Sequence, residues 1–354
     1  MQFERVSSLD DDARALWHAT PPQLSPFGFP GFYEAWQRAF AGSRTGFFVV
    51  GRRNRRAELV VPMWHPRQHP EQWFSLGTFR ADYTDVAQLS ESEDVGLQFW
   101  AWLARRAGCA TAKLARLRAG SLLDRTAPVR LRQRLASAAE TIALRRSARY
   151  VNLTTAHEHP YADRARLAEL AERIQSKDTR RKLNTLAKIG PVSYTLARGD
   201  AIAPLLPAFF AMHIANFAGT GRSSQFVDAP ERAFYEALVG HPQLAQTVCM
   251  DVLRVGEQPA AMHLGFETPQ RIYWYKPAFE LSLEKGSPGR VLLAHLFARA
   301  HAAGKLEVDL LKGNEAYKAD WSNHSHQTTT ASLVSRSLRD LVGGIIGRLQ
   351  RGTP

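Results

Sequence analysis

Cysteine is nearly absent from this sequence: Cys109 and Cys249 are the only two in 354 residues, far apart and outside any CxxC or Cys/His spacing. That excludes a disulfide framework and a zinc motif, so reduced thiols and no metal are expected. No run approaches the roughly 18 apolar residues of a membrane span, and no transmembrane segment is expected. The start, Met1-Gln2-Phe3-Glu4-Arg5 and soon Asp10-Asp11-Asp12, lacks the apolar stretch of a secretory signal, so a cytoplasmic location is the expectation. Walker, HExxH and GxSxG sequences are missing too, which leaves ATPase, zincin and serine-hydrolase chemistry without a motif.

Acids are scarce relative to bases, 33 against 46, for a net charge of +13. Most of that excess lies in residues 95–157, where twelve Arg or Lys face only Asp124 and Glu140. Such a segment can hold a polyanion such as RNA or an anionic membrane surface, or it can be a solvated face. The 45% hydrophobic and 10% aromatic content is enough for packed cores, and the length suits two domains.

A repeat organises the chain. Phe32-Tyr33-Glu34-Ala35 recurs as Phe234-Tyr235-Glu236-Ala237, 202 positions on, and the hairpin patterns at 46–64 and 247–266 keep that offset. Each half then shows another strand (72–76 and 271–275), an apolar helix (95–108 and 290–303) and a last strand (112–117 and 306–311). The order predicts two tandem α/β domains, each a mixed, mostly antiparallel sheet flanked by helices. The expected boundaries are 1–155, 156–335 and a basic amphipathic tail, 336–354. A turn at Pro160 and one helix over 162–188 are expected to open the second domain.

Particular residues resemble a known family. The basic helix Ser176-Lys177-Asp178-Thr179-Arg180-Arg181-Lys182, the stretches Pro259-Ala260-Ala261 and Tyr273-Trp274-Tyr275, the turn Ser287-Pro288-Gly289 and the run 308–321 are similar to the CelD-like GNAT acyltransferases associated with cellulose and exopolysaccharide synthesis. Ser25-Pro26-Phe27, Val60-Val61-Pro62, Leu76-Gly77 and Asp82-Tyr83 resemble that family's N-terminal region. The tandem order also resembles the FemX-type transferases, which use aminoacyl-tRNA. The resemblance implies an acyltransferase with acetyl-CoA or another acyl-CoA as co-substrate and a small-molecule or glycan-precursor acceptor. Its alternatives are a tRNA-dependent transferase and a catalytically silent scaffold.

Site candidates follow from chemistry and resemblance together. Ser287, Pro288, Gly289 and Arg290 open a helix, where free N–H groups face an anion such as the pyrophosphate of CoA, or they form an ordinary turn. Gly289 is expected to permit close backbone approach there. Asp309, in an apolar strand, is a candidate proton acceptor, or it pairs with Lys312 or holds the following loop. Tyr317-Lys318 resembles the aromatic-lysine pair of FemX-type domains, which implies that Lys318 stabilises the carbonyl oxygen. His263 is a secondary base candidate or a satisfied core histidine. Tyr273 and Tyr275, which alternation places on one strand face, are substrate-binding candidates with Lys312 and Trp321. Arg180, Arg181 and Lys182 either contact a phosphate or solvate their helix. The first half lacks matching Ser-Pro-Gly and Tyr-Lys features and is expected to shape the acceptor cleft without catalysing. The tail, with an apolar stripe and arginines over 338–351, is a candidate for peripheral contact with an anionic membrane or a partner, or for a capping helix.

Overall fold

The computed structural model describes residues 1–19, 25–78, 80–89, 92–105, 107–127, 149–218 and 220–335. The basic tail and half of the basic segment's cations (Arg106, Arg130, Arg132, Arg134, Arg145, Arg146) lie outside them. The first half gives β1 (Gln2–Val6), α1 (Asp11–His18), α2 (Pro30–Phe40), β2 (Arg44–Arg53), β3 (Arg56–Pro66), β4 (Gln72–Ser75), β5 (Ala87–Gln88), α3 (Glu93–Arg105), β6 (Thr111–Arg118), α4 (Leu122–Arg125) and β7 (Arg149–Asp163). The second gives α5 (Arg164–Ala171), α6 (Lys177–Ala187), β8 (Val192–Arg198), α7 (Leu206–Phe217), α8 (Ala229–Val239), β9 (Val248–Val255), β10 (Gln258–Glu267), β11 (Arg271–Phe279), α9 (Pro288–Ala302), β12 (Glu307–Asp309) and β13 (His324–Ser335).

Both predicted hairpins form for local reasons. β2 and β3 turn through Asn54 and Arg55, left-handed at φ 50° and 70°, which matches the twist of a two-residue hairpin. β9 and β10 turn at Gly256, φ 58°, where any side chain would be strained.

The chain divides into two units, neither continuous in sequence. One comprises 1–21, 43–156 and 327–354; the other comprises 22–42 and 157–326. In the first, the order β1-β2-β3-β4-β6-β13 is antiparallel except for the parallel pair β4–β6. In the second, β8-β9-β10-β11-β12-β7 repeats that scheme, with β11–β12 as the parallel pair. The first sheet therefore takes β13 from the end of the second half's sequence, whereas the part of β7 that pairs with β12, Tyr161–Asp163, opens the second unit's own segment. The first unit's core sets Val61, Met63 and Leu114 against Phe99, Trp100 and Leu103 of α3. Three cations of the basic segment are engaged there: Arg116 pairs with Asp82 at 2.7 Å, Arg125 with Glu93 at 3.8 Å, and Arg118 lies over Tyr83.

The second unit has two packed faces, assigned by strand alternation. Ile272 and Trp274 join the layer made with Leu292, Leu296 and Phe297 of α9. That helix is buried nearly all round because α5 and α6 cover its outer side. On the other face Tyr273 and Tyr275 meet Phe27, and the two repeat copies pack on each other, Phe32 against Phe234 at 5.3 Å.

Two expectations are corrected. The turn expected at Pro160 does not form: β7 runs on through it to Asp163. The single helix over 162–188 is two helices, because Ser176 is extended (φ −64°, ψ 153°) and its Oγ accepts from the Thr179 N–H at 3.1 Å. That cap starts α6 afresh. Separately, Gly199–Phe217 is long and apolar enough to cross a membrane by length and composition. Here it comprises two 3-10 turns and α7, whose Phe209, Phe210 and His213 pack on Phe226.

His213 gives a pH prediction. Burial first, then the charge of Lys276, lowers its imidazole to about 4 from 6.5. The unfolded chain therefore takes up a proton that the fold refuses, and stability present above pH 6.5 falls as pH drops towards 4. The slope is about 1.4 kcal/mol per pH unit for one proton. Urea titrations of the wild type and His213→Asn across this window should show a shallower slope in the variant; equal slopes would refute the assignment.

Candidate functional site

The sheet of the second unit opens between its two parallel strands. Pairing of β11 with β12 runs only from Arg271↔Glu307 to Tyr273↔Asp309. Beyond it β11 continues to Phe279, while the chain after Asp309 leaves, with the Leu310 N–H bonded to the Pro160 carbonyl at 2.8 Å. Among the described residues the later part of β11 has no strand partner on that side.

A bulge sits at the same place. On β10 the register steps from Leu264 to Phe266, while on β11 it steps from Lys276 to Tyr273, so β11 carries one extra residue around Trp274 and Tyr275. His263 fills the gap: its Nε2 accepts from the Tyr275 N–H at 3.0 Å and its Nδ1 donates to Asp251 Oδ2 at 3.0 Å. Both nitrogens of this fully buried ring are engaged, and burial lowers its pKa despite the carboxylate. His263 therefore positions the bulge, and no free nitrogen is left to act as a base. Asp251, also fully buried, accepts from the Tyr194 hydroxyl and pairs with Arg299 at 3.1 Å. Burial alone would raise the Asp251 carboxyl, but the hydrogen bond from His263 and the charge of Arg299 hold it below the usual range. Burial likewise opposes the charge of Arg299, which Asp251 restores and pushes above its ordinary value.

Opposite the bulge, the 3-10 turn Ala316–Trp321 brings Tyr317 to the open strand. Its hydroxyl accepts from Trp274 Nε1 at 3.1 Å, and burial pushes its pKa up to about 12. At neutral pH it is a protonated phenol beside the parting of β11 and β12.

Lys318 is buried, and its Nζ donates to the carbonyls of Leu311 and Lys312 at 3.2 and 2.9 Å and pairs with Glu315 at 3.0 Å. Three partners account for its three protons, so in this arrangement it braces the loop and offers no donor to an oxyanion. Asp309 is fully buried and its Oδ1 accepts from the Leu311 N–H at 2.8 Å, fixing a turn whose Leu311 is left-handed at φ 57°. This is the loop-holding alternative. Lys312, half-buried, contributes its carbonyl to the same loop. Tyr273 and Tyr275 do share a face, and both are buried in the aromatic layer against Phe27.

At the start of α9 the left-handed residue is Ser287, φ 44°. A Cβ on Gly289 would make only an ordinary contact, 3.6 Å from Phe279. Pro288 takes the first helical position, where its missing N–H costs nothing. Arg290, exposed in that first turn, reaches Asp320 at 3.4 Å. Trp321 is buried under the guanidinium of Arg173.

Glu307, Asp309 and His326 bring ligand-type atoms within 4.8 Å of one another. Glu307 is already bonded to His326 at 2.8 Å and Arg271 at 3.2 Å, and these partners outweigh its burial to hold the carboxyl low. The sequence reading passed over Asp251, Arg299, Tyr194 and Arg173. Asp251 had a legible signal, an acid inside an apolar strand, the same signal that marked Asp309.

Residues 173–319 match the family described as Acetyltransferase (GNAT) domain. No curated protein matches the chain. Among solved structures, FemX is similar at TM-score 0.59 and 9% identity, covering 93% of this chain and 96% of its own. A conserved protein of unknown function from Bacteroides thetaiotaomicron VPI-5482 is similar at TM-score 0.57 and 12% identity, over 91% and 96%. L-PGS from Bacillus licheniformis is similar at 0.52 and 12%, over 90% and 96%. At these identities the structural likeness shows the fold alone. Residues 173–319 thus resemble a GNAT acetyltransferase domain, within a chain whose fold is similar to that of FemX.

Proposed function

We propose that the second unit transfers an acyl group, acetyl first, from acyl-CoA to an amine or hydroxyl acceptor. The observation that carries this reading is the stretch of β11 between Tyr273 and Phe279, which has no strand partner on that side among the described residues, with Tyr317 tethered beside it through Trp274 and Phe279 held by Asn216 at its end. A strand edge pairs with any extended chain that carries amides, and the pantetheine arm of CoA is such a chain. In the reaction the acceptor's nitrogen or oxygen attacks the thioester carbonyl and the C–S bond breaks. The Tyr317 hydroxyl gives its proton to the departing sulfur, the acceptor's proton passes to solvent, and the resulting phenolate regains a proton from solvent. The pyrophosphate would meet the N-terminus of α9, with Arg290 adding charge. A glycan-precursor acceptor rests on the resemblance to polysaccharide-associated transferases.

Calorimetric titration with acetyl-CoA tests the donor. Saturable binding is expected, about tenfold weaker in Arg290→Ala, or ~1.4 kcal/mol. Failure to bind acetyl-CoA or a longer acyl-CoA, together with salt-sensitive binding of tRNA, would overturn this reading in favour of aminoacyl-tRNA-dependent transfer.

A further inference from the structure

The helices α5 and α6 stand ahead of β8 in the second unit. They cover α9, and α6 docks closely on the turn before it. A Cβ on Gly286 would lie 2.4 Å from Leu186, so only glycine lets the two elements meet as they do. Where α6 and α9 begin, a cavity of about 320 Å³ is lined by Arg173, Ser176, Thr179, Lys182, Arg290 and Trp321, with Asp178 and Asp320 also on its wall.

Its charges do not cancel. Asp178 is bonded to Lys182 and to Arg181, and Asp320 pairs with Arg290. Arg173 is left over: among the described residues its guanidinium makes no hydrogen bond or ion pair, and it lies 4.7 Å over the Trp321 ring. Burial, then the like charges of Arg166 and Arg290, lower its pKa against the pull of Asp320, as expected of a cation lacking its counter-ion. Trp321, 3% exposed on the same wall, has an indole N–H with no acceptor among the described residues. Ser176 and Thr179 add hydroxyls at the N-terminus of the 11-residue α6, where backbone dipoles favour an anion. Planar guanidinium groups, an ammonium and hydroxyls around one small cavity are suited to a phosphate dianion.

We propose that this cavity binds a phosphate monoester, and that in acyl-CoA the group it takes is the 3′-phosphate of the nucleotide. The second clause rests on the donor reading above. It makes α5 and α6 a clamp by which the second unit selects the phosphorylated form of its donor.

Calorimetry with CoA and 3′-dephospho-CoA on the wild type tests this without any variant. CoA is expected to bind at least tenfold more tightly. Arg173→Ala and Lys182→Ala should reduce CoA to the dephospho value and leave 3′-dephospho-CoA unchanged. Equal affinity for the two ligands in the wild type overturns the proposal while leaving the donor reading standing. If neither ligand binds, the donor reading fails and inorganic phosphate decides the cavity. Saturable phosphate binding lost in Arg173→Ala upholds a phosphate site served by another source, and no phosphate binding ends it.

Discussion

Asp251→Ala should destabilise the second unit by about 3–5 kcal/mol, the cost of leaving a buried charge without its partner. The carboxylate is fully buried and answers three groups: His263, Tyr194 and Arg299. Its removal strands the guanidinium of Arg299, whose remaining carboxylate partner among the described residues is Glu267. It also frees His263 to turn, and His263 holds the Tyr275 N–H at the bulge. Urea unfolding followed by circular dichroism would show the loss, and donor affinity should fall with it because the bulge borders the open strand. A change below about 1 kcal/mol would mean that the network is not what holds this region. The sign with pH follows from the lowered carboxyl. Its contribution is complete above the ordinary carboxylate range and is lost as pH falls through the depressed folded value.

Tyr317→Phe should keep donor affinity within about twofold and lower kcat by 10²- to 10⁴-fold, the usual range for a general acid. The ring and its packing remain, so only the proton and the acceptor for Trp274 Nε1 disappear. The lost hydrogen bond costs about 1 kcal/mol of stability. Thiol release from acetyl-CoA, with glucosamine or another amine that supports turnover, gives the rate, and calorimetry gives the affinity. Because the phenol stays protonated up to about pH 12, the wild type should show no alkaline loss from this group in the neutral range. A kcat within threefold of wild type would remove Tyr317 from the mechanism. Loss of binding without loss of kcat would make it a structural residue.

Much of the candidate site's framework was readable because strands and helices advertise themselves locally. Alternation from Val248 to Phe266 with Gly256 between requires a hairpin. The tyrosine-lysine pair at 317–318 and the Ser-Pro-Gly turn were found as motifs. Their roles were not readable, because a role depends on which hydrogen-bonding partners lie within about 3 Å. Lys318 reads as a free cation until the carbonyls of Leu311 and Lys312 are seen around it. His263 reads as a base until Asp251 and the Tyr275 N–H occupy both nitrogens. Arg173 reads as one more surface charge until it is found over Trp321 with no ion pair among the described residues.

The sequence by itself determined the two hairpins, the duplicated order around them and the mixed sheet in each half, because period and turn chemistry act over a few residues. Only the tertiary structure decided that β13 closes the first sheet and β7 the second, and that α2 packs on its own repeat copy, α8. Any strand of suitable alternation satisfies an open sheet edge, so the choice of partner is made by packing over long sequence separation. The same holds for the chemistry: a residue's charge is written in the chain, and its surroundings are assembled by the fold.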